Sequence, residues 1–208
     1  MIKNKYRDLD DLHWDILKEV SNVGTGNALS ALSNFLDNSV KLNQPYIRML
    51  DYDEVMDKLG GSDTVVTGLL LFLSGDIDGM IMFLLHENFT LEALQLLLGY
   101  EIPDLYSIDE IGISALRELS NIMASSYVNA ISSLGNMAIQ VSVPSIAIDM
   151  VGSIMSVPTI HFADISNRVL FMENDFTLGG ENVSSSILLF AKDESVKKMI
   201  HNLEMGLQ

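Results

Sequence analysis

Asp15-Ile16-Leu17-Lys18-Glu19-Val20-Ser21-Asn22 and Ser114-Ala115-Leu116-Arg117-Glu118-Leu119-Ser120-Asn121 share one sparse pattern, and the two stretches start 99 positions apart. Each reads D/S-x-x-x-E-x-x-N, and after a further 22 residues comes a proline, Pro45 in the first copy and Pro144 in the second. With average residue usage, four specified types at fixed spacing match by accident at roughly 10⁻⁵ per start position. Two such matches at a single repeat distance indicate an internal duplication rather than coincidence.

Both stretches lie in helical patterns. From Leu9 to about Leu36, Ile16, Leu17, Val20, Ala31 and Phe35 share an apolar face, while Asp15, Glu19, Asn22 and Gly26 line the opposite one. In the second half a helix is expected over about Ile108–Leu134. Ala115, Leu119, Ile122, Met123 and Ala130 are inward there, and Ser114, Glu118, Asn121 and Ser125 outward. After each helix the order repeats: an extended run (Val40–Leu50, Met137–Asp149), a short helix, two apolar strands and a closing helix. Ser74-Gly75-Asp76 and Gly179-Gly180 mark the hairpin turns, and Gly99 caps the helix Phe89–Leu98.

The expected fold is an internally duplicated α+β layered protein with pseudo-two-fold symmetry. About six strands form one mixed or antiparallel sheet, flanked by the two long helices, because two short strands per half cannot stand alone. One domain over residues 1–208 is expected, made of repeats at about 9–100 and about 108–205.

Composition narrows the function. A net charge of −16 repels phosphate backbones and anionic membrane surfaces, so neither nucleic-acid binding nor membrane docking is expected. Cysteine is absent, which removes disulfides, thiol catalysis and Cys-based zinc sites. The N-terminus lacks the apolar stretch of a signal peptide, and no apolar run approaches a bilayer span. A cytoplasmic protein is expected. His13, His86, His161 and His201 show no ligand spacing, so no metal site is expected, and the twelve methionines read as core filler.

Residues three apart on a helix are neighbours, so Glu19 projects beside Asn22 and Glu118 beside Asn121. Taken singly, either pair would pass as an ordinary solvated helix face. Asn, however, favours caps over helix interiors, and here it recurs mid-helix in both halves. Neither Glu nor Asn is a strong nucleophile, but an amide can donate to and accept from one water at once and so aim it. Water positioning of this kind accelerates phosphate hydrolysis when the substrate brings its own metal and cationic groups. Gly24-Thr25-Gly26 is not a dinucleotide loop, lying within a helix and lacking the third glycine. Its small residues suit either a partner's backbone or close packing against the protein's own sheet. Asp149, the one charged residue between Asn136 and His161, marks either an interface or a plain strand-to-helix turn.

The doubled motif, with Asn22-Val23-Gly24-Thr25-Gly26-Asn27-Ala28 after the first Glu, resembles the CheC family of chemotaxis phosphatases across essentially the whole chain. Neither copy departs from the motif, so the resemblance is to the two-site CheC type. CheX-like members have one site and dimerise, and FliY adds a C-terminal domain for which no sequence is expected after Gln208. The resemblance implies hydrolysis of the aspartyl phosphate of the response regulator CheY. Glu19 and Glu118 would contact the regulator's active-site Lys, and Asn22 and Asn121 would aim the water. Asp15, Ser114, Pro45 and Pro144 would support helix and loop positions. It further implies no cofactor beyond the Mg²⁺ carried by the regulator, two active helices on opposite sides, and a monomer that also binds the deamidase CheD, with Asp149 at that interface. The rival expectation is a non-catalytic adaptor that sequesters CheD or docks at the flagellar switch.

Overall fold

Strict alternation on two apolar hairpins builds the centre of the molecule. A computed structural model describes residues 11–37, 40–42, 46–162 and 168–206. In the first half, α1 (Asp11–Phe35), β1 (Lys41–Leu42), β2 (Tyr46–Asp51), α2 (Tyr52–Lys58), β3 (Val65–Gly75), β4 (Gly79–Leu85) and α3 (Glu87–Leu98) follow one another. In the second, α4 (Glu110–Gly135), β5 (Ile139–Val141), β6 (Ser145–Met150), α5 (Val151–Phe162), β7 (Arg168–Leu178), β8 (Glu181–Ala191) and α6 (Asp193–Gly206) repeat that order. The sequence start of α1 at Leu9 lies outside the described residues.

Successive strand residues face opposite sides of a sheet. Leu69, Leu71, Leu73, Ile81, Phe83 and Leu85 are therefore buried with α1, α3, α4 and α6. Their alternates Val66, Leu70, Met80, Met82 and Leu84 are buried with α2 and α5 on the other face. The β7–β8 turn is the two-residue pair Gly179 (φ +59°) and Gly180 (φ +96°), a left-handed conformation that glycine tolerates and branched residues do not. The first hairpin turns at 76–78 rather than at Ser74-Gly75-Asp76, because Ser74 and Gly75 are still paired to Gln140 and Ile139 of β5.

The sheet runs β1-β7-β8-β4-β3-β5, with β2 also on β7 and β6 also on β3. Every pairing is antiparallel. The two edge strands of each repeat thus pair with the hairpin of the other repeat, and the halves join along β4–β8. Among the described residues the sheet has eight strands, where the sequence suggested about six. The extended run at 137–149 is broken at 142–144, where Pro144 has no N–H to give a ladder. In the first run, residues 43–45, Pro45 among them, fall outside the described residues. The repeats also differ in length where α5 has 12 residues and α2 has 7.

Candidate active site

The motif helices are positioned by their neighbours before any chemistry begins. Asp109 caps α4, its Oδ1 accepting from Gly112 N at 2.9 Å, so the register that brings Glu118 and Asn121 to the surface starts there. Near the start of α1, His13 Nε2 lies 3.2 Å from Glu204 Oε1 of α6, whose last residue Gly206 abuts the Leu134 carbonyl at the end of α4. The beginning of α1 therefore lies at the end of α4, and the two helices pack antiparallel. They cross where a Cβ on Gly24 would stand 2.7 Å from the Tyr127 ring, and where Thr25 Oγ1 and the Tyr127 hydroxyl share a 2.6 Å hydrogen bond.

The resemblance implied active helices on opposite sides, but α1 and α4 lie together on one face of the sheet. Antiparallel packing is what separates their motif patches. At 1.5 Å per residue from the crossing, Asn22 and Asn121 are displaced along the axes by roughly 12 Å in opposite directions overall.

Asp15, Glu19, Asn22 and Gly26 are all exposed, as are Ser114, Glu118, Asn121 and Ser125. Each face thus brings its Glu and Asn within about 5–6 Å of each other at Cβ, open to a visitor. The inward faces are wider than the periodicity indicated. Ile16, Leu17, Val20, Leu119, Met123 and Ala130 are buried as expected, whereas Ala31, Phe35, Ala115 and Ile122 are only half-buried. Ala28, Leu32, Leu116 and Tyr127 fill the centre instead, because each helix meets its twin as well as the sheet. Gly24 serves that helix pair rather than the sheet, leaving only Gly26 of the pair on the open face.

Tyr127 carries the polar heart of the crossing. Burial pushes its hydroxyl up to about 12, against smaller opposing pulls from Thr25 and Asn174, so it stays protonated and serves as a neutral structural hydrogen-bonding group. Asn174 Nδ2 of β7 donates to the same hydroxyl at 3.4 Å. Pro144 is buried in the connection between β5 and β6, both of which touch α4.

Two features of the motif faces escaped the sequence reading although the repeat distance carried them. Ser21 and Ser120 precede the two asparagines; both are buried, and neither hydroxyl has a hydrogen-bond partner among the described residues. Lys18 and Arg117 precede the two glutamates and are exposed. Lys18 Nζ lies 3.1 Å from Asp15 Oδ1.

Asp149 is exposed near the end of β6, paired across to Val66, and its Oδ1 accepts from Met150 N at 2.7 Å just before α5 opens. That is the plain strand-to-helix geometry. Around this edge, however, Val143 (78%), Ile160 (78%), Met150 (45%) and Phe72 (38%) remain exposed. Among the described residues, no three His, Asp or Glu side chains gather as a candidate metal centre. Among them too, no helix is long and apolar enough to cross a membrane.

A duplicated α+β fold whose repeats exchange edge strands, with the same Glu–Asn face on two antiparallel helices, defines the class of protein. A CheC-like family model matches residues 12–40 and 111–148, which take in nearly all of α1 and, in the second half, α4 as far as the middle of β6. The chain is 29% identical over 171 residues to the CheY-P phosphatase CheC of Bacillus subtilis, covering 81% of each. In fold it is similar to FliY of Thermotoga maritima, with TM-score 0.74, 20% identity and coverage of 96% of this chain and 99% of that one. It is also similar to the FliM middle domain of H. pylori, with TM-score 0.63, 9% identity and coverage of 93% and 99%. The chain is thus similar to CheC-like proteins in sequence along its two motif helices and in fold over nearly its whole length.

Proposed function

We propose that this protein is a phosphatase for a phosphorylated response regulator of the CheY type. The observation that carries the reading is the repetition of one exposed Glu–Asn face on both α1 and α4. The Bacillus subtilis relative, named a CheY-P phosphatase, supports the same substrate.

Each face would work on a regulator that brings its own Mg²⁺ and Lys, so the protein needs no cofactor itself. Glu19 or Glu118 pairs with the regulator's ammonium and fixes the register between the two proteins. Asn22 or Asn121 then accepts from and donates to one water, holding it in line with the acyl phosphate. The water oxygen bonds to phosphorus while the bond from phosphorus to the aspartyl oxygen breaks. The regulator's aspartate leaves as carboxylate, and both protons of the water depart with inorganic phosphate, which releases one to solvent at neutral pH. Asp15, Ser114 and the two motif prolines hold helix and loop positions. A single chain carrying both faces is the working unit, in the cytoplasm where such regulators act.

Decay of the phosphorylated regulator tests the proposal. Asn22→Ala or Asn121→Ala alone should leave the other face active, each inactivated face losing about 10²-fold. The double variant should return decay to the regulator's own rate with binding retained; undiminished acceleration would reject the reading.

The exposed apolar edge around Asp149 favours a second surface. We infer that it receives the deamidase CheD, with Asp149 as its polar determinant. Asp149→Lys should abolish CheD capture and leave regulator decay untouched. If Asp149→Lys alone removed function and both Asn substitutions were silent, the protein would be a CheD adaptor instead.

A further inference from the structure

Each motif helix has one Lys or Arg in its entire length, and the two occupy the same repeat position. α1 carries Lys18 and α4 carries Arg117. Each precedes the motif Glu and stands four residues before the motif Asn, which makes it a surface neighbour of the amide. In a protein of net charge −16, each is a cation one helical turn from the amide that an anionic group would meet. Their surroundings differ. Lys18 Nζ is held 3.1 Å from Asp15 Oδ1, three residues back on the same helix. The equivalent of Asp15 on α4 is Ser114, which has no charge, and Arg117 makes no hydrogen bond or ion pair with any described residue.

We propose that Arg117 is a substrate-binding residue of the α4 face, engaging the phosphoryl oxygens or the acidic rim of the regulator. The two faces are therefore unequal, with the α1 face muted by the Asp15–Lys18 pair. The inference rests on the phosphatase reading of both faces. A guanidinium is always charged, and its planar fork of donors matches phosphate and carboxylate oxygens two at a time. Placed one turn from Asn121, it reaches the same anion whose attacking water the amide holds. On α1 the corresponding ammonium must first leave a carboxylate. An exposed pair is weak, so the muting is partial and shrinks with salt.

Regulator decay measured in single-face proteins tests this. Asn121→Ala leaves only the α1 face, and Asn22→Ala leaves only the α4 face. In the Asn22→Ala protein, Arg117→Ala should lower kcat/KM roughly tenfold, mainly through KM, with Arg117→Lys in between. In the Asn121→Ala protein, Lys18→Ala should change little. Exchanging the neighbours should exchange the behaviour. Ser114→Asp should weaken the α4 face, and Asp15→Ser should strengthen the α1 face and steepen its dependence on salt. All four positions are exposed, and circular-dichroism melts of each variant would establish that folding is intact. Unchanged kcat/KM on Arg117→Ala in the Asn22→Ala protein would overturn the inference while leaving the phosphatase reading standing. Acceleration that survives the double Asn variant would overturn both.

Discussion

His86 follows β4 as the N-cap of α3, and burial holds its imidazole below the ordinary histidine range, although Glu173 and Asp175 pull the other way. The unfolded chain therefore takes up this proton before the folded one does. Its contribution to stability is present above the ordinary value of 6.5 and is lost as pH falls through the lower folded value. Asp76 acts with the same sign further into acid. A hydrogen bond from Lys198 at 2.7 Å, helped by the Ala138 N–H, keeps its carboxyl below 3.8, so that contribution disappears only in strong acid. Urea midpoints should accordingly decline as the buffer is taken from pH 7 to below 6, and His86→Gln should flatten that step. A decline of equal size in the variant would place its origin elsewhere. At this scale the sequence displayed the Glu and Asn of each motif because residue types recur at fixed spacing. It did not display that Asp15 occupies Lys18 or that Tyr127 binds Thr25, since those depend on side-chain geometry and on a partner 102 positions away.

Two glycines two residues apart on α1 separate packing from display at the level of the helix. Gly24 is buried at the crossing, where an added Cβ would stand 2.7 Å from the Tyr127 ring. Gly26 is exposed, with nothing within 4 Å of the same added atom. Gly24→Val should therefore force α1 and α4 apart and cost about 1–3 kcal/mol in chemical denaturation. Gly26→Ala should be neutral or stabilising by up to about 1 kcal/mol, because alanine is the better helix former. Equal effects at the two positions would contradict the crossing described above. The periodicity of α1 and α4 was legible because an amphipathic helix needs only its own sequence to show an apolar stripe. Which residues sit deepest was not. A helix that touches both a sheet and a twin buries a broader arc than a single stripe indicates, hence Ala28 and Leu32 inside and Ala31 and Phe35 at the margin.

Strand exchange makes the whole molecule cooperative across its duplication. β2 lies on β7 from Tyr46–Glu173 to Asp51–Arg168, and β6 lies on β3 from Val65–Met150 to Leu70–Ser145. A half separated in the 101–107 connection would lose the cover of its hairpin and the central β4–β8 ladder. It would also lose the partner of its long helix. Each half made alone should lack a cooperative melt as a monomer, and mixing the two should restore one. A half that melts cooperatively by itself would show that the exchange is dispensable.

The sequence by itself determined that the chain is a duplication, that each copy is a long helix followed by a hairpin unit, and that each helix carries a Glu–Asn pair. Those properties are periodic or local, so spacing along the chain records them. Only the tertiary structure decided that the repeats trade edge strands, that the two motif helices lie antiparallel on one face, and which motif cation is held by a neighbour. Pairing partners are chosen by packing and hydrogen bonding between segments about a hundred residues apart, and no local pattern specifies which equivalent strand a given edge will join.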